Sequence, residues 1–263
     1  MIRVGIGGWT FEPWRDNFYP PGLAQKRELE YASSKLTSIE VNGTYYGSQK
    51  PESFRKWAEE TPDDFVFALK GPRFATNRRV LGEAGESIGR FFDSGVTELG
   101  KKLGPINWQF MATKKFDAED FEAFLKLLPG SVGGLAIRHV VEVRHPSFET
   151  PDFIALARRH GVAVVVADSD DYPQIADPTA DFVYARLQNA SEEEKSGYPD
   201  SALDDWRRRA EAWSAGGVPD DLKLIAPAPD TGPKRDVFLY MINGFKPKAP
   251  FAAMALIERL GGR

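Results

Sequence analysis

Short apolar segments alternate along this chain with longer segments that carry helix signals, and this alternation limits the fold more than any other feature does. The apolar segments are short and several are rich in β-branched residues, which favours strands over helices. A strand that is followed by a helix pairs in parallel with the next strand, because the crossover takes about a dozen residues or more. Eight such segments are present: Ile2–Gly7, Thr37–Val41, Asp64–Lys70, Ile106–Phe110, His139–Val143, Val162–Ala167, Phe182–Leu187 and Val237–Ile242.

Four of the intervening segments carry signals for the start and the end of a helix. Ser, Thr and Asp side chains cap the first N–H groups of a helix, Pro fits its first turn, and Gly is favoured just past its end. The segments marked in this way are Glu52–Glu60 after Ser48 and Pro51, a helix opened by Asp117 and Asp120 that ends near Pro129-Gly130, Asp152–His160 after Thr150-Pro151, and a helix opened by Ser201 and Asp204 that ends at Gly216-Gly217.

Eight parallel strands in a chain of 263 residues fit a closed (β/α)8 barrel, a fold that typically takes about 250 residues. A doubly wound open sheet is the alternative. Its dinucleotide-binding form carries Gly-x-Gly-x-x-Gly in the first strand–helix turn, whereas this turn reads Gly5-Ile6-Gly7-Gly8-Trp9. The chain also lacks a Gly-Lys-Ser/Thr phosphate loop. We therefore predict an α/β fold with a single (β/α)8 TIM-barrel domain over residues 1–263, whose closure can be irregular or incomplete.

Composition excludes several classes of site and partner. The chain has no Cys, which excludes disulfides, Cys-ligated metal centres and thiol nucleophiles. No apolar run reaches the roughly 18 residues of a membrane-spanning helix, and Met1 leads directly into an apolar segment without a basic signal region. We therefore expect a cytoplasmic protein with no membrane partner. The net charge of −4 makes a nucleic-acid partner unfavourable, because such a partner calls for a basic surface.

Side-chain parity places a set of polar residues inside the expected barrel. Alternate residues of a strand face opposite sides of the sheet, and bulky apolar residues such as Ile39 and Val41 belong against the outer helices. The opposite parity then faces the interior. On this assignment polar side chains converge at the carboxyl-terminal mouth of the barrel, where barrel active sites lie: Glu40, Lys70, Gln109, Glu142, Arg144, Asp168 and Arg186.

The three carboxylates and three cations in this set admit two interpretations. They can form a structural network, since buried charges persist only when they are paired. They can also form a catalytic site, in which neighbouring charges separate the pKa values of an acid and a base. We favour the catalytic interpretation, with Lys70, Arg144 and Arg186 binding an anion and the two glutamates serving as acid and base. The predicted catalytic residues are Glu40, Lys70, Glu142 and Asp168.

Residues in the loops on the same side complete the predicted site. Trp9 and Tyr45 are expected to form pocket walls, as aromatic side chains do in small-molecule sites. His145 follows Glu142 at the mouth and is the one histidine with an expected site role, whereas His139 should be packed. The predicted substrate-binding residues are Trp9, Asn42, Tyr45, Arg73, Gln109, Arg144, His145, Arg186 and Asn243.

A metal centre is a weaker alternative at the same place. Glu40, Glu142 and Asp168, together with His145, form an oxygen-rich set of the kind that suits Mg²⁺ or Mn²⁺. The three nearby cations already neutralise these carboxylates, however. We therefore predict no metal and no cofactor.

The order of these residues resembles the domain of unknown function 72 family, whose members are TIM barrels. The resemblance extends over nearly the whole chain, its motifs are specific in combination, and it implies the barrel without implying a particular activity. The segments that carry it are Gly5-Ile6-Gly7-Gly8-Trp9, Trp14, Phe18-Tyr19-Pro20, Glu40-Val41-Asn42-Gly43-Thr44-Tyr45-Tyr46, Trp57, Thr61-Pro62, Phe67, Lys70, Arg73, Thr76, Leu103-Gly104-Pro105, Gln109, Glu142-Val143-Arg144-His145-Pro146-Ser147-Phe148, Asp168, Tyr184, Arg186 and Tyr198.

This chain departs from the family pattern at several positions. The family usually has Ser at the position of Gly7 and His at the position of Asn77, and His-Gly where this chain has Gln188-Asn189. Its final strand usually ends in paired Asn, whereas here Asn243 is followed by Gly244. Two family histidines are therefore absent, and chemistry that depends on them is not expected here.

These observations lead to a predicted function and two alternatives. The prediction is an enzyme that acts on a small, polar, anionic substrate, resembling a sugar or phosphate ester, by acid–base chemistry of the hydrolase, isomerase or lyase type. The barrel commonly binds phosphate after its last two strands, where Asn243 and Lys246 lie. The first alternative is a noncatalytic barrel that binds a small ligand. The second is a metal-dependent barrel enzyme of the isomerase or nuclease kind. The sequence does not determine an oligomeric state.

Overall fold

Eight parallel strands close into a barrel in the computed structural model, which describes residues 1–228 and 232–262. Around the barrel the order is β1-β10-β9-β8-β7-β4-β3-β2, and β1 pairs with both β10 and β2. A two-stranded hairpin, β5 and β6, lies outside the barrel. The strands are β1 Ile2–Gly7, β2 Ser38–Val41, β3 Val66–Lys70, β4 Leu103–Gln109, β5 Ser131–Val132, β6 Leu135–Ala136, β7 His139–Glu142, β8 Ala163–Asp168, β9 Phe182–Leu187 and β10 Asp236–Met241.

The closed barrel confirms the predicted fold class, and the observed barrel strands overlap all eight predicted segments. The largest difference is at β4, which begins at Leu103 instead of Ile106. Gly104 allows this extension, because a Cβ at that position would lie 2.9 Å from the carbonyl oxygen of Phe67 in β3. The backbones of β3 and β4 therefore approach closely only because this residue has no side chain.

Helices surround the barrel in the described part of the chain. Two predicted caps are observed: the side chain of Asp117 accepts a hydrogen bond from the N–H of Asp120, and that of Thr150 from the N–H of Phe153. The cap predicted at Ser201 is wrong, because that helix already begins at Asp200. The α-helices are α1 Glu28–Lys35, α2 Gly43–Tyr46, α3 Pro51–Glu59, α4 Arg73–Thr76, α5 Gly85–Asp93, α6 Ala118–Leu127, α7 Pro151–Arg159, α8 Asp200–Ser214 and α9 Ala249–Arg259.

An apolar layer covers each of the two faces of the barrel sheet. The larger layer lies between the strands and the helices and contains Ile39 and Val41. The smaller layer fills the barrel interior and contains Ala68 and Tyr184. The predicted parity therefore holds for β2, β3 and β9, and the polar residues of alternate parity point inward above the interior layer.

The inward assignment of Asp168 was wrong. Val164 and Val166 of β8 belong to the outer, helix-facing layer, whereas Val165 belongs to the interior. Asp168 has the parity of the two outer valines, so it lies on the outer side of the sheet at the end of β8.

Among the residues that the structure describes, no helix combines the length and the apolar character needed to cross a membrane.

Candidate functional site

Arg186 is the centre of a buried charged cluster at the carboxyl end of the barrel. Its Nη1 donates to Oε2 of Glu142 at 2.6 Å, and its Nη2 donates to Oε1 of Glu40 at 3.1 Å. Glu40 is fully buried and the side chains of Glu142 and Arg186 are 2% and 3% exposed. One guanidinium group thus connects two carboxylates from β2 and β7 across the interior of the barrel.

Two residues that were not predicted complete the pairing of these carboxylates. The hydroxyl of Tyr184 donates to Oε2 of Glu40 at 2.6 Å. The amide nitrogen of Asn107 lies 3.3 Å from Oε2 of Glu40 and 3.2 Å from Oε2 of Glu142, so one amide group donates to both. Asn107 and Tyr184 precede Gln109 and Arg186 by two residues and therefore share their inward parity. That spacing was the signal that could have identified them.

Arg144 and Lys70 lie on the more exposed side of the cluster. Arg144 donates twice to Oε1 of Glu142, from Nε at 2.8 Å and from Nη2 at 2.6 Å, and its guanidinium lies 4.4 Å from the centre of the Tyr172 ring. The Lys70 ammonium donates to Oε1 of Gln109 at 2.5 Å and lies 4.4 Å from the centre of the Tyr45 ring. We call these residues the mouth cluster: Glu40, Lys70, Asn107, Gln109, Glu142, Arg144, Tyr184 and Arg186.

The mouth cluster carries more positive than negative charge. It contains three cations and two carboxylates, and both carboxylates are bound by Arg186. Lys70 is 6% exposed and takes part in none of the ion pairs found among the described residues. Burial lowers the pKa of Lys70 to about 8, and repulsion from Arg186 acts in the same direction against the attraction of Glu40 and Glu142. Lys70 is therefore the surplus cation of the mouth.

The surroundings of Glu142 do not suit the acid or base role predicted from the sequence. Burial by itself would raise the pKa of Glu142, but the charges of Arg186, Arg144 and Lys70 outweigh it and lower the pKa to about 2. Both carboxylate oxygens already accept hydrogen bonds from these arginines. Glu142 is thus a fixed anion that orients the two guanidinium groups.

The pKa of the Lys70 amine should lie well below that of an ordinary lysine. We expect its side-chain NMR resonance to change with a midpoint near pH 8, because the buried ammonium is desolvated and faces Arg186. The unfolded chain then binds more protons than the folded chain between about pH 8 and 10.5, so this group makes stability rise with pH over that interval. A midpoint near 10.5 would contradict the desolvated environment. Lys115, which is exposed, provides the reference resonance in the same spectrum.

Asp168, His145 and Asn243 lie outside the mouth cluster. Asp168 accepts from the Tyr198 hydroxyl at 3.2 Å, and burial raises its pKa. His145 accepts from the N–H of Ser147 through Nδ1 and so stabilises its own loop. Asn243 is exposed, and its amide donates to Oε1 of Gln188 at 3.2 Å.

Trp9 and Asn42 line a separate cavity of about 250 Å³ at the ends of β1 and β2. The Trp9 ring packs edge-on against Trp57 at 5.1 Å. Lys246 lines the same cavity, and burial lowers its pKa. Arg73 is exposed, its guanidinium lies 5.8 Å from the centre of the Tyr46 ring, and it is not among the residues that line this cavity. The predicted substrate-binding residues are therefore divided among several places around the mouth.

His139 has the packed position expected for it. Its Nδ1 accepts from the indole N–H of Trp108 at 3.1 Å, and Nε2 lies 2.8 Å from the carbonyl oxygen of Pro129. Burial lowers the pKa of His139 to about 4. Within the described residues, no group of three or more His, Asp or Glu side chains is arranged to hold a metal ion.

Comparisons with known proteins give the fold and the family of this chain. The chain is 30% identical over 151 residues to the UPF0759 protein YecE of Escherichia coli strain K12, a match that covers 56% of this chain and 50% of that protein. The chain therefore spans about half the length of that relative.

Two solved structures share the fold over almost their full length. A DUF72 family protein from Thermotoga maritima superposes with a TM-score of 0.76 at 22% identity and 99% coverage of both chains. A DUF72 family protein from Enterococcus faecalis superposes with a TM-score of 0.75 at 18% identity, covering 100% of this chain and 96% of that one. Residues 3–263 match the family model described as protein of unknown function DUF72. The chain belongs to the DUF72 family.

Proposed function

We propose that this protein is an enzyme that acts on a small, polar, anionic substrate, such as a sugar phosphate or a phosphate ester, bound at the mouth cluster. The observation that carries the proposal is the surplus positive charge of that cluster, where two carboxylates face three buried or half-buried cations. A structural network needs only balanced charges. An unbalanced cation at the catalytic end of a barrel supplies an attraction for an anion.

Arg144 and Lys70, on the outer side of the cluster, have different roles in binding and in chemistry. Arg144, with 16% of its side chain exposed, is held by Glu142 and presents its guanidinium to the anion. Lys70 has a pKa of about 8, so at neutral pH both the ammonium and the free amine are populated. The amine form can accept a proton from the substrate and the ammonium form can return it. Arg186, Glu40 and Glu142 hold this arrangement in place.

Phosphate protection tests the binding part of the proposal. We expect inorganic phosphate to raise the melting temperature of the wild type at constant ionic strength, since a ligand present at 100 times its Kd stabilises by about 2.7 kcal/mol. Lys70→Met and Arg144→Ala should each remove most of this protection. Arg144→Ala should itself cost little stability, because Glu142 retains Arg186 and Asn107 as partners. The exposed Lys115→Met is the matched control and should respond to phosphate as the wild type does.

Two outcomes would contradict the proposal. If phosphate does not stabilise the wild type and Arg144→Ala melts far below it, the cluster is a structural network. If phosphate protects but a panel of sugar phosphates and phosphate esters gives no product, the protein is a noncatalytic binder. Product formation that is lost in Lys70→Met and retained in Lys115→Met supports the enzyme.

A further inference from the structure

A second cavity, of about 370 Å³, lies beside the mouth cluster between the loop that follows α2 and the helices α4 and α5. This volume is within the range of small-ligand sites. We call it the α4–α5 cleft; Thr44, Gly47, Phe74, Arg78, Ser87 and Phe91 are among its lining residues. None of the residues of the mouth cluster lines it.

Arg78 gives the α4–α5 cleft a fixed positive charge. Its Nε donates to the carbonyl oxygen of Phe74 at 3.0 Å, and its Nη2 donates to the hydroxyl of Ser87 at 3.0 Å. These bonds hold the guanidinium in one place and leave Nη1 for another partner. The other charged lining residues, Glu86 and Arg90, pair with each other at 2.5 Å and cancel. Among the described ion pairs none includes Arg78, so the cleft has a net charge of about one positive unit from this side chain.

An exposed aromatic surface borders the same cleft. Phe74, which lines the cleft, is 62% exposed, and Tyr46, which precedes the lining residue Gly47, is 65% exposed. The guanidinium of Arg73 lies 5.5 Å from the Phe74 ring and 5.8 Å from the Tyr46 ring. Phe91 is buried and forms an apolar part of the cleft wall. A flat ring can pack against these rings in the offset or edge-to-face arrangements that aromatic pairs prefer.

Helix α2 connects the α4–α5 cleft to the mouth cluster. The Thr44 hydroxyl donates to the backbone carbonyl oxygen of Lys70 at 2.7 Å, and Thr44 lines the cleft. The next residue, Tyr45, covers the Lys70 ammonium. One turn of helix therefore lies between the cleft and the amine.

We propose that the α4–α5 cleft is a second subsite, which binds a flat ring carrying a negatively charged group, and that Arg78 determines specificity for that group. This inference rests on the proposed function, because it makes the substrate a two-part molecule. The reacting anionic part lies at Lys70, and the ring-bearing part lies against Phe74 with its charge on Arg78. Ring stacking and a prepositioned guanidinium together match this chemistry.

Phenyl phosphate is the probe for the α4–α5 cleft, and two-dimensional NMR locates it. In the wild type, phenyl phosphate should shift the amide resonances of Gly47 and Ser87, which inorganic phosphate should leave unmoved. Arg78→Ala should weaken phenyl phosphate binding about tenfold or more, as expected for the loss of one charge-assisted contact. Arg79→Ala removes the same charge one position along and should bind as the wild type does.

A steric variant tests the same subsite without removing a charge. Gly47 has extended backbone with φ −167°, and a Cβ added there would meet no atom within 4 Å, so a side chain is accommodated. Gly47→Phe should fill the cleft and abolish the phenyl phosphate shifts, whereas Gly47→Ala should retain them. Both variants should keep the response of the mouth cluster to inorganic phosphate.

The outcomes separate the two proposals. If Arg78→Ala and Gly47→Phe bind phenyl phosphate as tightly as their controls, the second subsite is wrong, whatever Lys70→Met does. Lys70→Met can leave the protection by inorganic phosphate intact while Arg78→Ala still weakens the binding of phenyl phosphate. In that case the proposed function of the mouth cluster is wrong, and the cleft is a ligand site of its own. Both proposals are supported if Lys70→Met loses the protection by inorganic phosphate and Arg78→Ala loses the binding of phenyl phosphate.

Discussion

Arg186→Met should lower the stability of the protein by about 3–5 kcal/mol, the cost of breaking a buried ion pair. Arg186 contacts both Glu40 and Glu142, and all three side chains are at most 3% exposed. Removing the guanidinium leaves two buried carboxylates without the cation that they share. Chemical denaturation measures the loss directly, and the melting temperature should fall by roughly 10 °C for a chain of this length.

A second substitution distinguishes lost pairing from a general packing defect. Arg186→Met combined with Glu40→Gln should be more stable than Arg186→Met alone, because the double variant no longer buries the Glu40 charge. Arg207→Met is the surface control. Arg207 pairs with Glu211 one helical turn away and is 34% exposed, so its loss should cost less than about 0.5 kcal/mol. Equal losses for the buried and the surface arginine would contradict our account of the mouth cluster.

Acid should destabilise the protein through Glu142 by about 3 kcal/mol, because its pKa falls from 4.5 to about 2 on folding. The folded carboxyl binds fewer protons than the unfolded one between these values. Its contribution to stability is therefore fully present above about pH 4.5 and is lost as the pH falls toward 2. Unfolding by urea at a series of pH values measures this slope.

Glu142→Gln is the informative variant for the acid slope. It should be less stable than the wild type at pH 7, since a neutral amide balances neither Arg144 nor Arg186, and the difference should shrink as the pH falls. Glu149→Gln removes an exposed carboxylate from the following loop and controls for the loss of one negative charge. The difference in the free energy of unfolding between the wild type and Glu142→Gln could instead stay constant from pH 7 to pH 3. That result would show that Glu142 is not held ionised by its partners.

Much of the candidate site could be predicted because it depends on strand parity. Glu40, Lys70, Gln109, Glu142, Arg144 and Arg186 follow a period of two within or just after their strands, and a short segment is enough to assign that period. The same rule failed at Asp168, because all the residues of β8 that precede it are apolar. Val164, Val165 and Val166 give no contrast between the two faces, so the sequence could not show which of them points outward.

Loop residues were harder to place than strand residues. Trp9 and Asn42 line a cavity apart from the mouth cluster, and His145 is bound by its own loop. The short helices α2 and α4 carry Tyr45 and Arg73, and neither helix was predicted. Helices of four residues have too little local signal to be identified, because their stability comes from packing.

The sequence by itself determined the parallel barrel, the parity of most of its strands and the identity of the charged side chains at its mouth, since each of these depends on residues close together in the chain. The tertiary structure alone decided which charges pair. Glu40 and Arg186 are 146 residues apart and meet only because β2 and β9 belong to one closed barrel. The same closure buries Lys70 and lowers its pKa, and it places α4 and α5 around a cleft. Local patterns specify which residues face inward, whereas barrel closure and register determine which of them touch.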